Sequence, residues 1–297
     1  MSRRPAQASW ATGWVARQLG ISPITLRTWD TRYDIGPSHR EEGRHRRYTA
    51  DDIERLRLMQ RLITGGTRPR EAAELARLRT VQISDRVAGA NTADLTESLN
   101  QAAEGLRLDT MADLLDAFID SRGVVATWQD VLRPVIRSVA GRSLTDETCR
   151  DIEWALAGSI SAALDRSLRT NQAHTDSGHP ALLVCCPQER HALPLRALAA
   201  ALHERRVPIV QLGDMVPAEI TLTAERRLQP AVVVLWALRQ ENAARSLARR
   251  LHSRRVPLVL AGSGWQDFTT VPAEKTDDLE HAVSLIETLT AKQAHSG

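Results

Sequence analysis

Residues 11–49 read ATGWVARQLGISPITLRTWDTRYDIGPSHREEGRHRRYT, and this stretch decides how the N-terminal part of the chain folds. Val15, Ala16 and Leu19 recur at helical spacing, so the sequence predicts a short helix that ends near Leu19. Gly20 follows this helix, and glycine adopts the backbone conformation of a tight turn at little cost. The pattern therefore predicts a helix followed by a sharp turn.

A second helix is predicted directly after this turn. Ser22 has the hydroxyl group that an N-cap needs, and Pro23 is tolerated at the first helical position. We expect the side chains of Ile24, Leu26 and Trp29 to face inward, with the intervening Thr and Arg side chains outside. Two short helices joined by a glycine turn predict a helix-turn-helix, whose second helix can enter the major groove of DNA.

Positive charge is concentrated in the same part of the chain. Residues 1–80 contain 16 Arg and 9 Asp or Glu residues, a net charge of +7; the rest has 23 Lys or Arg and 27 Asp or Glu residues, a net charge of −4. Guanidinium groups suit phosphate and guanine. A GC-rich genome also raises the arginine content, and one chain does not separate the two causes. The location of the charge nevertheless favours DNA binding by this segment.

The segment resembles the MerR family of winged-helix transcription regulators. VARQLGISPITLRTWDTRY (residues 15–33) is similar to that family's first helix, turn and recognition helix, and GRHRRYTADDIERLRLMQRLITGG (residues 43–66) is similar to its wing and next helices. The resemblance spans residues 10–80. It implies a homodimer or higher homo-oligomer that binds a two-fold symmetric operator in double-stranded promoter DNA and acts on RNA polymerase indirectly. The side chains expected near DNA are those of Arg17, Thr25, Arg27, Thr28, Arg32, Tyr33, Arg44, His45, Arg46, Arg47 and Tyr48.

Length and composition limit the class of protein. The 297 residues suffice for two or three domains, and contents of 42% hydrophobic and 25% charged residues are typical of a soluble globular protein. No apolar run is long enough to span a bilayer and the first residues lack the apolar core of a signal peptide, so we expect a cytoplasmic protein. Cys185 and Cys186 lie in an apolar run, which predicts buried thiols.

The rest of the chain divides into a helical part and an α/β part. Residues 92–170 show helical periodicity with breaks at Gly105, Gly123 and Gly141, which predicts a four-helix bundle. From residue 181 to 292, short apolar runs alternate with helical runs. This alternation predicts a doubly wound parallel α/β domain of Rossmann type, in which ligands bind beyond the carboxyl ends of the strands.

The last two segments resemble the CarH/LitR group of light-sensing regulators that bind adenosylcobalamin. CPQERHALPLRALAAALHERRVPIVQLGDMVP (residues 186–217) is similar to the first loop, helix and second strand of that group's cobalamin-binding domain. The resemblance implies that His191 is the axial cobalt ligand when a cobalamin is bound. It also implies that Glu189, in place of an aspartate, orients the imidazole ring.

Several positions of the α/β part depart from this group's pattern. Pro194 replaces a glycine of the group's pattern. The group has two consecutive glycines at a later position, where this chain has Gly262 followed by a serine. Trp236 replaces a serine at the position where the resemblance places the nucleotide tail of the cofactor, so an indole ring would fill that slot.

The bundle departs from the pattern as well. Ser143 stands in place of the tryptophan that covers the cofactor; Glu153 is retained, and Trp154 replaces a histidine. Trp154 and Trp236 would then line a pocket for a small hydrophobic molecule. The candidate ligand-binding residues are therefore Glu153, Trp154, Glu189, His191, Trp236 and Gly262.

These observations leave two interpretations of the C-terminal half. In the first, the chain is a MerR-type regulator without a cofactor, whose sensor region has lost adenosylcobalamin and serves for oligomerisation or another ligand. In the alternative, it is a light-responsive repressor that still binds cobalamin through His191. An enzyme related to methyltransferases and mutases is disfavoured, because 297 residues leave no room for a substrate barrel and the sequence offers no nucleophile–base pair.

Overall fold

The computed structural model describes residues 10–37, 46–77, 91–143, 150–170 and 179–294. The chain divides into two compact units, Met1–Ala90 and Asn91–Gly297. The sequence analysis separates three segments, at residues 10–80, 92–170 and 181–292. The second and third of these segments pack together within the second unit.

The first unit combines short helices with a two-stranded antiparallel sheet. Its elements in chain order are β1 Trp10–Ala11, α1 Thr12–Leu19, α2 Pro23–Tyr33, β2 Arg47–Tyr48, α3 Ala50–Thr64 and α4 at residues 69–77. Trp10 of β1 pairs with Tyr48 of β2. Val15, Leu26 and Leu56 are buried in the shared core of this unit.

Local sequence signals set the ends of these helices. Gly20 ends α1 with φ 64°, a left-handed conformation that favours glycine. The Ser22 hydroxyl oxygen accepts a hydrogen bond from the backbone N–H of Thr25 at 3.0 Å and so caps α2. Thr49 and Asp52 form a capping box at the start of α3, with hydrogen bonds of 2.9 and 3.3 Å. The predicted glycine turn and Ser22 cap are confirmed.

The prediction that Ile24 faces inward is wrong. Its residue is 73% exposed, whereas Leu26 and Trp29 of the same helix are buried. Each residue of an α-helix turns by about 100°, so positions 24 and 26 point to opposite sides while positions 26 and 29 share a face. Only one of these two faces can contact the core.

Four helical runs form the first part of the second unit. They comprise α5 Thr92–Glu104, α6 Leu108–Thr127, a π-helical turn Trp128–Leu132 that leads into α7 Arg133–Ser143, and α8 Arg150–Thr170. Within α6, Gly123 breaks the helix with φ 77° and ψ 166°, so the first run ends there and the next continues into α7. The predicted breaks at Gly105 and Gly123 are confirmed. The break at Gly141 is wrong, because α7 continues through it at the modest cost of a helical glycine.

A five-stranded parallel sheet forms the second part of this unit. Its elements are β3 Ala181–Cys185, α9 Leu193–Glu204, β4 Ile209–Gln211, α10 Ala218–Leu228, β5 Val232–Trp236, α11 Arg245–Ser253, β6 Leu258–Ala261, β7 Glu274–Thr276 and α12 Leu279–Ala294, with 3₁₀ turns at Gln240–Asn242 and Ser263–Trp265. The strand order is β4-β3-β5-β6-β7. The predicted parallel α/β architecture is confirmed.

Strand β7 is absent from the sequence prediction. It is three residues long and lies at the edge of the sheet, and Glu274 and Lys275 are exposed, so no apolar run marks it. Cys185 and Cys186 are buried as predicted, and burial raises the pKa of each thiol to about 12. In the described part of the chain, every helix lacks the length or the apolar character needed to cross a membrane.

Glu204 joins the bundle to the sheet domain. This residue ends α9, and its carboxylate accepts hydrogen bonds from the backbone N–H of Val124 at 3.1 Å to each oxygen. Val124 follows the break at Gly123, so the carboxylate caps the start of the next helical run. Burial raises the pKa of Glu204, and the hydrogen bond from Val124 and the charge of Arg205 partly offset this effect.

The raised pKa of Glu204 predicts a pH dependence of stability. Because the folded-state pKa lies above the unfolded-state value, this group's contribution to the free energy of unfolding falls as the pH rises from the ordinary pKa through the raised one. Glu204→Gln keeps an oxygen acceptor for Val124 and removes the titration. We expect chemical denaturation to show the Gln variant gaining stability relative to the native chain as the pH rises. Glu280→Gln on α12, an exposed position, is the control, and parallel pH profiles for Glu204→Gln and the native chain would contradict this role.

Candidate functional site

Helix α2 has one buried face and one exposed face. Leu26, Trp29 and Asp30 are buried, while Arg27 and Arg32 are exposed. The buried face fixes the helix on the core of the first unit, so its orientation does not depend on a ligand. The exposed face therefore presents guanidinium groups from a rigid element, as a DNA-reading helix requires.

The buried carboxylate of Asp30 ties the residues before β2 to α2. Arg46 Nε donates a hydrogen bond to Asp30 Oδ2 at 3.0 Å, and the Arg46 side chain remains 40% exposed. Gly36 makes room for this carboxylate, since a Cβ atom at position 36 would lie 2.2 Å from Asp30 Oδ1. This ion pair holds Arg46 and the adjoining strand against α2.

The structure places the predicted DNA-contacting residues in three groups. The first group is exposed and comprises Arg17, Arg27, Arg32, Arg46 and Arg47. The second group is partly buried and comprises Thr25, Thr28 and Tyr33. Within it, the hydroxyl of Thr25 lies 2.8 Å from that of Ser22, and the hydroxyl of Thr28 donates to the carbonyl of Ile24 at 3.0 Å. Arg44 and His45 lie outside the described residues.

Tyr48 forms the third group by itself, and the expectation that its side chain is available to DNA is corrected by the structure. Its side chain is fully buried in the core of the first unit, and burial raises the pKa of its hydroxyl. Successive side chains of a β-strand point to opposite faces. In β2, which pairs with β1, Tyr48 points to the inner face and Arg47 to the exposed face. Tyr48 therefore packs the core, and Arg47 offers the accessible charge.

A second candidate site lies at the carboxyl edge of the parallel sheet. Strands β4 and β5 flank β3 on opposite sides, so the chain reverses its direction of winding at β3. In such sheets the loops after the central strands border a ligand-binding crevice. The loop after β3 contains Glu189 and His191, and α9 begins at Leu193.

Glu189 is the centre of a hydrogen-bond network at this edge. Its side chain is fully buried. Oε1 accepts from the backbone N–H of His191 at 2.8 Å and lies 2.8 Å from His191 Nδ1. Oε2 accepts from the backbone N–H of Leu238 at 2.8 Å and from Asn242 Nδ2 at 3.1 Å. Burial by itself would raise the pKa of Glu189, but these hydrogen bonds outweigh it and lower the pKa below its ordinary value.

The ionised carboxylate determines which nitrogen of His191 carries a proton. An ionised carboxylate only accepts hydrogen bonds, so Nδ1 of His191 donates to it. Nε2 is then the lone-pair nitrogen of the neutral ring, and the side chain is 54% exposed. This is the arrangement in which proteins hold a metal-ligating imidazole. Among the described residues, no group of three or more His, Cys, Asp or Glu side chains could hold a metal ion.

Trp236 packs beside the loop that carries His191. Its residue is 8% exposed, and Nε1 donates a hydrogen bond to the carbonyl of His191 at 2.8 Å. Gly262 lies against the other side, since a Cβ atom there would be 2.9 Å from Trp236 Cζ3 and 2.3 Å from the carbonyl oxygen of Ala237. The indole ring therefore bridges the loop after β3 and the loop after β6.

Glu153 and Trp154 lie on the first turn of α8, and both are exposed. Trp154 is 79% exposed, so it does not form a wall of a closed pocket with the buried Trp236. Nothing is described of the Ser143 side chain. Leu238 and Asn242 are partners of Glu189 that no sequence pattern indicates, although both follow β5 at the edge where ligands and their supporting residues gather.

Comparison with known proteins agrees with this geometry. The model of the MerR HTH family regulatory protein matches residues 12–78. These residues form a MerR-type helix-turn-helix domain. Its helices α1 and α2 are the two helices of the motif, so the resemblance inferred for this segment is confirmed.

Most of the chain is similar to two transcriptional repressors of Myxococcus xanthus. The HTH-type transcriptional repressor CarH is 24% identical over 246 residues, which span 80% of this chain and 82% of CarH. The HTH-type transcriptional repressor CarA is 27% identical over 227 residues, which span 76% of this chain and 75% of CarA. The similarity therefore continues well beyond the MerR-type domain.

One solved structure has a fold similar to that of about two thirds of this chain. The Methanosarcina barkeri monomethylamine corrinoid protein superimposes with a TM-score of 0.54 and 14% sequence identity, covering 67% of this chain and all of that protein. At this identity the likeness is one of fold. The domain order of the CarH-type resemblance, with a MerR-type domain before a cobalamin-binding-type fold, is thus confirmed.

The network around Glu189 predicts a strong effect of a nearly isosteric substitution. Glu189→Gln places an amide N–H₂ where a carboxylate oxygen accepts two hydrogen bonds, so donors face donors in a buried site. We expect a loss of about 2 kcal/mol in the free energy of unfolding at neutral pH. Because the folded-state pKa of Glu189 is lowered, the difference should shrink as the pH falls through that value.

Chemical denaturation of both proteins across this pH range is the measurement. Glu241→Gln is the matched control, because Glu241 lies in the neighbouring 3₁₀ turn and forms only an exposed ion pair with Arg239 at 3.4 Å. Equal stability of Glu189→Gln and the control would contradict the central role of Glu189.

Proposed function

We propose that the chain is a sequence-specific transcriptional regulator that binds promoter DNA as a homodimer or higher homo-oligomer and acts on RNA polymerase indirectly. The exposed face of α2 carries this proposal, because it belongs to a MerR-type domain and its opposite face is fixed by Leu26 and Trp29. Two copies related by a two-fold axis would place α2 in successive major grooves of a two-fold symmetric operator.

The charges around α2 support contact with DNA. Arg27 and Arg32 lie on the helix itself, Arg46 lies directly before β2 and Arg47 lies on β2. Arginines on the helix are suited to base edges, whereas those on the strand are suited to phosphates. The two kinds of contact have different signatures in binding experiments, since only phosphate contacts are independent of the base sequence.

Two arginine substitutions test this division of roles. Duplexes selected from a random pool by the full-length protein serve as probes in mobility-shift assays at several salt concentrations. Arg27→Ala should weaken binding to the selected duplex by roughly 10- to 100-fold and change binding to unrelated duplexes little. Arg47→Ala should weaken binding to both and lower the salt slope by about one. Arg249→Ala on α11, an exposed position of the second unit, is the control for lost charge.

Selection of no duplex, or equal affinities of all three variants and the native chain, would contradict the proposed function.

Corrinoid binding is suggested by the names of the fold relative and by the resemblance to the CarH/LitR group, and the site fits this ligand only in part. The Glu189–His191 pair fits an axial metal ligand, because it leaves Nε2 of a half-exposed ring as an acceptor. The crevice does not fit a nucleotide tail, because the Trp236 indole packs against Gly262 and bonds to the carbonyl of His191. A cobalamin with its tail would have to displace this ring.

We therefore infer that the second unit has lost adenosylcobalamin binding and serves for oligomerisation or for another ligand. The observation that favours the alternative is the Glu189–His191 pair itself, since a buried carboxylate that orients a half-exposed imidazole is typical of a metal ligand. In that case the protein would be a cobalamin-binding, light-responsive repressor with His191 on the cobalt. The two functions predict opposite outcomes of one titration.

Titration with adenosylcobalamin in the dark, followed by gel filtration and absorption spectroscopy, separates them. We expect the native chain to retain no corrinoid. Trp236→Ser removes the ring from the crevice and should gain retention, whereas the matched control Trp236→Phe loses the hydrogen bond to His191 but keeps most of the bulk and should not. Retention by the native chain that His191→Ala abolishes would establish the alternative. No gain in Trp236→Ser would contradict the role of the indole as the obstacle.

A further inference from the structure

Ile24 is an apolar residue at the N-terminal end of the exposed face of α2. At 73% exposure it contributes almost nothing to the core, which Leu26 and Trp29 of the same helix supply. Leu75 on α4, another large apolar residue with an exposed surface in this unit, is only 44% exposed. The fold of the first unit therefore does not account for an isoleucine at this position.

The neighbours of Ile24 on the helix surface are residues that suit DNA. Positions three, four and seven residues further along α2 are Arg27, Thr28 and Thr31, which lie on the same face at helical spacing. Ile24 is also the second residue of α2, and the N-terminal residues of a recognition helix are those that reach base edges. The stripe thus presents one branched apolar side chain among a guanidinium and two hydroxyl groups.

The chemistry of the major groove offers a single apolar target. Thymine carries a C5-methyl group there, whereas adenine, guanine and cytosine present hydrogen-bonding edges. We propose that Ile24 contacts the C5-methyl group of a thymine in each operator half-site and so determines the base preference at that position. This inference rests on the proposed function, and the arginines of the same unit supply the charge complementarity that brings the duplex to this face.

Replacement of thymine by deoxyuridine tests the contact directly. Deoxyuridine lacks only the methyl group, so base pairing and the hydrogen-bonding edge are unchanged. The probes are the duplexes selected from a random pool by the full-length protein, with each thymine replaced in turn, and the measurement is affinity by mobility shift. For the native chain we expect one thymine per half-site at which the replacement weakens binding about fourfold, the loss typical of one buried methyl group.

The variant Ile24→Ala makes the test specific. It should bind the unmodified duplex more weakly and lose sensitivity to deoxyuridine at that thymine while keeping it at others. Ile220→Ala on α10 is the matched control, because Ile220 is 53% exposed and belongs to the second unit. Circular dichroism and thermal unfolding of both variants exclude a folding defect as the cause.

Each outcome decides the proposal. Loss of sensitivity at one thymine in Ile24→Ala, with the native pattern kept in Ile220→Ala, supports it. A native-like deoxyuridine pattern in Ile24→Ala overturns it, as does a selected duplex in which no thymine replacement weakens binding, and in both cases the proposed function stands. Failure to select any duplex overturns the proposed function and this inference with it.

Discussion

The carboxylate of Glu189 is the constraint on which the sheet edge depends. A buried negative charge is stable only when hydrogen-bond donors surround it, and here the donors come from the loop after β3 and from the chain that follows β5. One side chain therefore fixes two loops and the tautomer of His191. Since these donors belong to the protein, the edge of the sheet is ordered by its own residues, and Trp236 adds a further link through the carbonyl of His191.

The first unit uses a buried acid in a similar way. Asp30 lies on the inner side of α2, with Arg46 bound to it from the residues before β2 and Gly36 leaving space for its carboxylate. The helix and the adjoining strand are thereby held together while the opposite face of α2 stays exposed. In both units, then, a buried carboxylate holds a segment that carries candidate functional side chains.

Local signals in the sequence were sufficient for much of this architecture. The glycine turn at Gly20, the Ser22 cap, the break at Gly123 and the parallel strands follow from backbone preferences and from periods of hydrophobicity. The predictions that are wrong concern features that depend on tertiary context. The inward prediction for Ile24 follows from its apolar character alone, and the structure leaves this side chain exposed. Strand β7 is too short and polar to leave a pattern in the sequence. The partners of Glu189 are distant in sequence, so only the assembled sheet brings them together.

The hydrogen bonds between Glu204 and Val124 bear on how such a protein can be recombined. The bundle and the sheet domain look like separate modules, yet a helix of one begins on a side chain of the other. Exchange of the sheet domain for another of the same fold would leave the helix start after Gly123 without its cap. Exchange of the bundle would leave the partly buried carboxylate of Glu204 without its donor. Shuffling during evolution is therefore expected to transfer the bundle and the sheet domain together.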